Sequence, residues 1–289
     1  MAEPWIAIED TGAGPPIVLL HGLTATRRYV VQGSRHLLGR GYRVLAYDAR
    51  GHGESEAPSD PGAYDYHLMV GDLDRVLTEK GLDRPVLVGS SMGAHTATAF
   101  ALERPERVAA LVQITPAYIG AGRSDPGELT HWDALAGALE QGDVEAFIGL
   151  SGTASIPERW REGVELGIRQ RLERHRDLRA VAAALRVVPR SDAWAGLERL
   201  RGLEVPTLVV ASRDEVDPGH PISVAEEYAR LIPGAELVVE DPGASPLAWQ
   251  GSQLSRAIGD FLERALPQGG PTSTDSASPA GPGRASEAG

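Results

Sequence analysis

Short apolar runs that alternate with helical stretches are the feature that most constrains the fold of this chain. The runs predicted as strands are Trp5–Glu9, Ile17–His21, Arg43–Asp48, Val86–Ser90, Val108–Ile114, Thr207–Ser212 and Glu236–Glu240. Most of them are apolar throughout instead of alternating with polar residues, which indicates strands buried on both faces. Alternation with helices is typical of a parallel sheet. The sequence therefore predicts an α/β fold, a mostly parallel sheet covered by helices on both faces.

A Gly-x-Ser-x-Gly motif stands between one of these strands and a helix. Residues 84–93 read Arg-Pro-Val-Leu-Val-Gly-Ser-Ser-Met-Gly, and the helical stretch Ala94–Leu102 follows. A serine on such a strand–turn–helix junction exposes its hydroxyl at the positive end of the helix. Side chains at Gly89 or Gly93 would collide with neighbouring backbone in so tight a turn. Ser91 is the candidate nucleophile, although the short motif alone would also fit an ordinary Ser-Gly turn.

Two further segments match the serine motif in order and spacing. One strand ends in His21-Gly22-Leu23-Thr24, and another is followed by residues 48–55, Asp-Ala-Arg-Gly-His-Gly-Glu-Ser. Together the three motifs resemble the α/β-hydrolase superfamily, in its esterase- and lipase-like branch with a serine elbow. The resemblance covers about residues 4–266. It implies an oxyanion hole formed by the backbone amides of Leu23 and Met92.

The resemblance also predicts the domain organisation. Residues 118–198 read as several helices and correspond to the family's helical cap, inserted into a core of residues 1–117 and 199–266. Residues 267–289 consist mostly of Pro, Gly, Ser, Thr and Ala. Such a composition buries too little apolar surface to offset the entropy of ordering, so a disordered tail is expected.

The acid of a catalytic triad is expected after the strand Thr207–Ser212. The loop there reads Ser-Arg-Asp-Glu-Val-Asp-Pro, residues 212–218. The resemblance selects Asp214, whose carboxylate would hold the imidazole tautomer and stabilise the imidazolium. Alternatively, Asp214 caps the following helix or pairs with Arg213. Asp217 is the second candidate.

The position of the usual catalytic base holds an alanine. The family's histidine lies in the loop after the last strand, where this chain has Ala244, and residues 241–250 contain no histidine. Either a natural branch has lost or relocated the base, or the histidine has been replaced by engineering. Among the eight histidines, His220 is the candidate substitute because it follows the acid loop. Its more ordinary role is to begin the next helix beside Pro221.

Composition limits the partners of this chain. A net charge of -12 argues against nucleic acids and anionic membrane surfaces. The absence of cysteine excludes disulfides and thiolate chemistry. No stretch approaches the ~20 apolar residues of a membrane span, and the acidic start, residues 1–4, does not resemble a signal peptide. A cytoplasmic protein that acts on a small molecule is expected, and its oligomeric state stays open.

No cofactor is predicted. The glycines lack the Gly-x-Gly-x-x-Gly spacing of a dinucleotide site. The nearest approach to a metal-ligand set is Asp214, Asp217 and His220, and three such residues on one loop beside a serine elbow do not favour a metal site.

The sequence leaves three functions open. The first is a hydrolase of a small ester, lactone or related carbonyl compound that uses Ser91 as nucleophile, impaired if no base replaces the missing histidine. The second is a lyase, isomerase or cyclase on the same scaffold, and the third is an inactive small-molecule binding protein. Arg27 and Arg28, just past the oxyanion loop, are candidates to contact an anionic substrate, although a solvent-facing helix start also explains them.

Overall fold

The computed structural model describes residues 3–215, 217–241 and 249–266, and within them a seven-stranded sheet forms the centre of the molecule. The strands are β1 (Ile8–Thr11), β2 (Pro16–Leu20), β3 (Arg43–Tyr47), β4 (Val86–Ser90), β5 (Ala110–Ile114), β6 (Thr207–Ala211) and β7 (Glu236–Val239).

The strand order is β1-β3-β2-β4-β5-β6-β7, with β1 antiparallel to β3 and every other neighbouring pair parallel. The predicted fold class is confirmed. In this register Leu20 lies beside Gly89, and Ser90 lies beside Ile114. The loop after β2 and the turn after β4 therefore leave the sheet side by side, at the carboxyl edge where ligands of open α/β sheets bind.

Helices cover the sheet and continue beyond it. The described part of the chain contains α1 (His36–Gly39), α2 (Tyr66–Glu79), α3 (Met92–Glu103), α4 (Pro126–Glu140), α5 (Val144–Leu150), α6 (Glu158–Leu172), α7 (Leu178–Val187), α8 (Ile222–Leu231) and α9 (Gly251–Ala265).

Successive residues of each strand point to two different hydrophobic layers. In β4, Leu87 packs on the side that includes Phe100 of α3, whereas Val86 and Val88 pack on the side that includes Phe261 of α9. Because side chains alternate across a strand, a continuous apolar run supplies both layers at once. This two-sided burial fixes the sheet rigidly beneath its carboxyl edge.

Four helices, α4–α7, lie between β5 and β6 and form a third apolar cluster of their own, which includes Leu139, Phe147 and Leu185. Leu23, in the loop after β2, packs against this cluster. The helices thus contact the carboxyl edge of the sheet. Their assignment as a cap with boundaries at 118 and 198 stays a prediction.

Some sequence predictions shift or fall outside the described residues. The first strand begins at Ile8 and not at Trp5, whose side chain is exposed and whose amide donates to Glu56 Oε2 over 2.9 Å. The predicted tail, 267–289, and Ala244 lie outside the described residues. Among the described helices, none has the length and apolar character needed to cross a bilayer.

Candidate active site

Ser91 occupies a strained turn between β4 and α3. Its φ of 48° lies in the left-handed region, which non-glycine residues rarely adopt. Its amide donates to Ile114 O over 3.0 Å, which ties the turn to β5. A Cβ atom at Gly89 would collide with backbone of Gly93, and one at Gly93 with backbone of Leu20. The two glycines thus permit the close backbone approach that holds the Ser91 hydroxyl at the sheet edge.

His220 reaches the serine. Its Nε2 lies 2.9 Å from Ser91 Oγ, and its Nδ1 lies 2.8 and 2.9 Å from the two carboxylate oxygens of Asp217. A carboxylate only accepts hydrogen bonds, so Nδ1 carries the proton and Nε2 accepts from the serine hydroxyl. The three side chains form a continuous hydrogen-bond chain with the directionality of a serine–histidine–acid triad.

The carboxylate that hydrogen-bonds to His220 belongs to Asp217, whereas the sequence favoured Asp214 as the acid. The Asp214 carboxylate accepts from the amide of Ile222 over 2.8 Å, at the start of α8. It therefore performs the helix-capping role that was its alternative, because the first amides of a helix need an external acceptor. Asp217 and His220 are three positions apart, so one loop carries both groups.

Electrostatics within the pair favour a charged acid and a basic imidazole. Burial would raise the pKa of Asp217, but the positive charge and hydrogen bond of His220, with a contribution from Arg171, lower it overall. Burial would likewise lower the pKa of His220, yet the Asp217 carboxylate raises it above its ordinary value. The pair thus favours an ionised Asp217 beside an imidazole that binds a proton more readily than usual.

Glu240, at the end of β7, anchors the loop that carries this pair. The amide of Arg213 donates to Glu240 Oε1 over 2.7 Å, and Arg213 Nε donates to Glu240 O over 3.1 Å. The side chain is only 8% exposed, and burial raises the pKa of Glu240 to about 7. These contacts fix the first residues of the loop after β6 against the end of the neighbouring strand β7.

The amides expected to form an oxyanion hole lie at adjacent ends of two elements. Leu23 follows β2, and Met92 begins α3; among the described residues neither amide has a backbone or side-chain acceptor. His21 braces the first loop: its Nδ1 donates to Gly22 O, and its Nε2 accepts from the amide of Ala49, both over 2.9 Å. Burial lowers the pKa of His21 to about 4, so the bracing ring is neutral.

Other histidines near the site have structural partners. His95 accepts from the amides of Ala117 and Tyr118 over 3.0 and 3.1 Å and contacts Tyr66 Oη over 2.9 Å. Its ring is thereby directed away from Ser91, as expected from its position one turn along α3. His175 connects the segment after α6 to the core, accepting from the amide of Gly53 and donating to Thr24 O.

No group of three or more His, Asp or Glu residues suitable for a metal ion occurs within 3–215, 217–241 and 249–266. Arg27, a candidate contact for an anionic substrate, is engaged in ion pairs with Asp48 and Glu54. Its neighbour Arg28 is exposed. Arg27 therefore presents no unpaired guanidinium to a substrate.

Comparison with known proteins identifies the family. The sequence model of the α/β-hydrolase fold matches residues 15–155. The structure of a thermophilic esterase from Thermogutta terrifontis, with malate bound, is 30% identical with a TM-score of 0.75, and the alignment covers 91% of this chain and 94% of the esterase. The chain belongs to the α/β-hydrolase family.

Curated α/β-hydrolase relatives differ in the length of the match. A 2-hydroxy-6-oxononadienedioate/2-hydroxy-6-oxononatrienedioate hydrolase from Cupriavidus pinatubonensis is 28% identical over 267 residues, which cover 89% of this chain and 90% of the relative. Epoxide hydrolase 2 from Siraitia grosvenorii is 39% identical over 108 residues, 37% of this chain and 34% of the relative. This α/β-hydrolase therefore spans about a third of the length of that epoxide hydrolase.

Sequence reasoning found the serine and named His220 only as a speculative base. It ranked Asp217 second because Asp214 fits the family's spacing better. A signal for the observed pair was present: Asp217 and His220 are three residues apart, a spacing that lets two side chains meet within one turn. Arg171, on α6, carries no such sequence signal.

Proposed function

We propose that this protein is a serine hydrolase of small esters or lactones, in which Ser91 is the nucleophile, His220 the general base and Asp217 the acid. The observation that carries the proposal is the hydrogen-bond chain from Ser91 Oγ through His220 to Asp217. His220 thus supplies the base that the loop containing Ala244 lacks.

The first half-reaction follows from these positions. As Ser91 Oγ attacks the carbonyl carbon, its proton passes to His220 Nε2, and the carbonyl π electrons move to the oxygen. The amides of Leu23 and Met92 would hold that oxyanion, each donor contributing roughly 3–4 kcal/mol. When the carbonyl re-forms, the bond from its carbon to the leaving oxygen breaks and His220 gives its proton to that oxygen; an alcohol departs, and Ser91 remains as the acyl ester.

Water completes the cycle by the same route. His220 accepts a proton from water as the oxygen attacks the acyl carbon, and it returns that proton to Ser91 Oγ when the ester bond breaks. The products are a carboxylic acid and free enzyme. Asp217 keeps the imidazole in one tautomer and stabilises its cationic form throughout.

The test is turnover of a series of p-nitrophenyl esters by the unchanged chain and by Ser91→Ala, His220→Gln and Ala244→His. We expect measurable turnover that falls about 10³-fold or more in the first two variants. Ala244→His should bring no gain, because the base is already supplied from the loop after β6. Rapid labelling of Ser91 by a fluorophosphonate is the independent readout. Turnover that persists in Ser91→Ala, or depends on a histidine at 244, would contradict the proposal.

A further inference from the structure

Arg171 is a charged side chain for which the described structure provides no partner. It lies in the last turn of α6, half-buried, and makes no side-chain hydrogen bond or ion pair with the described residues. Two other arginines of these helices do have carboxylate partners: Arg169 pairs with Glu145, and Arg186 pairs with Glu140. Burying a guanidinium without a partner costs free energy, so an unpaired one calls for an explanation.

The position of Arg171 connects it with the triad. It is close enough for its charge to lower the pKa values of both Asp217 and His220. Four residues further along, His175 is fixed by hydrogen bonds to Gly53 and Thr24. Since Thr24 directly follows Leu23, the end of α6 is held over the loop that carries the expected oxyanion amide. This tether and the effect of its charge on Asp217 and His220 place Arg171 near the catalytic groups.

The triad acid does not neutralise Arg171. Both Asp217 oxygens are hydrogen-bonded to His220, and the separation of Asp217 from Arg171 exceeds that of an ion pair. Burial lowers the pKa of Arg171, and the charge of Asp217 offsets this only in part. Arg123 also acts on His220 electrostatically, but its guanidinium is paired with Glu128. Of the two arginines whose charge acts on His220, Arg171 is therefore the one without a carboxylate partner among the described residues.

We propose that Arg171 binds a carboxylate of the substrate, so that the preferred substrates are esters or lactones that carry a second, anionic group. The planar guanidinium matches a carboxylate with two parallel hydrogen bonds. This inference rests on the proposed hydrolase function and names its substrate class.

Such a substrate would also assist the chemistry. An unneutralised Arg171 disfavours the imidazolium form of His220, which arises in both half-reactions. A bound carboxylate cancels that charge at the moment when His220 must accept a proton. Anionic substrates should therefore have a higher kcat as well as a lower KM, because the neutralised site stabilises the charged transition state better.

The test compares matched anionic and neutral esters. One pair is mono-p-nitrophenyl glutarate and p-nitrophenyl hexanoate, with the charge on the acyl side. The other is 4-acetoxybenzoate and its methyl ester, with the charge on the leaving group. We measure kcat and KM for the unchanged chain, Arg171→Gln, Arg171→Lys and the control Arg174→Gln, which removes the same charge from an exposed position on the same segment.

We expect Arg171→Gln to lower kcat/KM about 10- to 100-fold for the anionic member of at least one pair, the size of a lost charge-assisted contact. For the neutral member of each pair, Arg171→Gln should change kcat/KM less than about threefold. For the anionic member, kcat/KM of Arg171→Lys should lie between the values of the unchanged chain and of Arg171→Gln. Arg174→Gln should leave kcat/KM of all four esters unchanged. Equal losses on both members of both pairs, or no loss, would overturn the inference.

A second readout needs no variant. Glutarate should inhibit turnover of the neutral ester competitively in the unchanged chain, whereas glutaramide should not. Equal effects of the two compounds would count against an anion site. Neutral-ester turnover that depends on Ser91 while anion preference is absent would leave the hydrolase function standing and remove only this inference. Turnover independent of Ser91 would remove the hydrolase function itself.

Discussion

At the scale of single residues, the site depends on which of two nearby carboxylates faces the imidazole. Asp214 accepts from the amide of Ile222, whereas Asp217 meets His220. The two aspartates have the same chemistry and lie on the same loop, so only their surroundings distinguish them. Their different contacts predict different effects of the same substitution.

Asp217→Asn should lower kcat/KM for a neutral ester about 10³- to 10⁴-fold, because the neutral amide neither fixes the tautomer of His220 nor stabilises its cation. Asp214→Asn keeps an oxygen acceptor for the amide of Ile222 and should leave kcat/KM within about threefold of the unchanged chain. Steady-state kinetics of the two variants decides between the carboxylates. A larger loss in Asp214→Asn would reverse the assignment.

The pH dependence of kcat/KM should report His220. The ring must be neutral to accept the serine proton, and Asp217 raises its pKa above the ordinary 6.5. Activity is therefore expected to fall as the pH drops through an inflection above 6.5. Burial, Arg171 and Arg123 act in the opposite direction and lower the pKa.

Removing one of these opposing charges gives the control. Arg171→Gln should move the inflection to higher pH, and Arg174→Gln should not move it. A downward shift in Arg171→Gln would show that the titrating group is not His220. The profile is measured with the neutral ester, so that binding of an anionic substrate does not contribute.

At the scale of elements, the sequence predicted most boundaries well. The strand β4 has the predicted limits, and α3 extends the predicted helical stretch Ala94–Leu102 by two residues at its start and one at its end, because glycine and apolar periodicity mark both elements locally. The segment around residue 173 separates two of the helices between β5 and β6. In the structure α6 continues to Leu172, and Asp177 caps α7 by accepting from the amide of Arg179.

The break between α6 and α7 places His175 against the core, and a substitution there should loosen that junction. His175→Ala leaves the amide of Gly53 and the carbonyl of Thr24 without partners, which should cost about 1–3 kcal/mol of unfolding free energy. Urea denaturation measures the loss, and limited proteolysis of α4–α7 locates it. His131→Ala, at an exposed position on α4, is the control. Equal stability of both variants would contradict the role of His175.

At the scale of the whole molecule, the two apolar layers hold a rigid sheet whose carboxyl edge gathers residues far apart in the chain. Ser91 and His220 are separated by 129 positions yet lie within hydrogen-bond distance. Glu240, which anchors the loop after β6, has a raised pKa. The free energy of unfolding of the whole molecule should therefore depend on pH.

Glu240 has a pKa of about 7 in the folded chain, because burial disfavours its charged form, against 4.5 as its ordinary value. Its protonation favours the folded state, so this stability is complete below pH 4.5 and is lost as the pH rises to about 7. Urea denaturation between pH 5 and about 8 should show a steeper decline for the unchanged chain than for Glu240→Gln. Glu9→Gln, at an exposed position, is the control. Parallel curves for the unchanged chain and Glu240→Gln would refute the role of Glu240.

The sequence by itself determined the order of strands and helices, the serine elbow and the family, because these depend on local periodicity and on glycine sterics at Gly89 and Gly93. Only the tertiary structure decided which histidine meets Ser91 and which aspartate meets that histidine. Local patterns do not fix the direction of side chains on a loop, so Asp217 and His220 could be paired with the serine only when β4 and β6 were placed in one sheet. The sequence likewise gives no sign that Arg171, on α6, has no carboxylate partner among the residues that the structure describes.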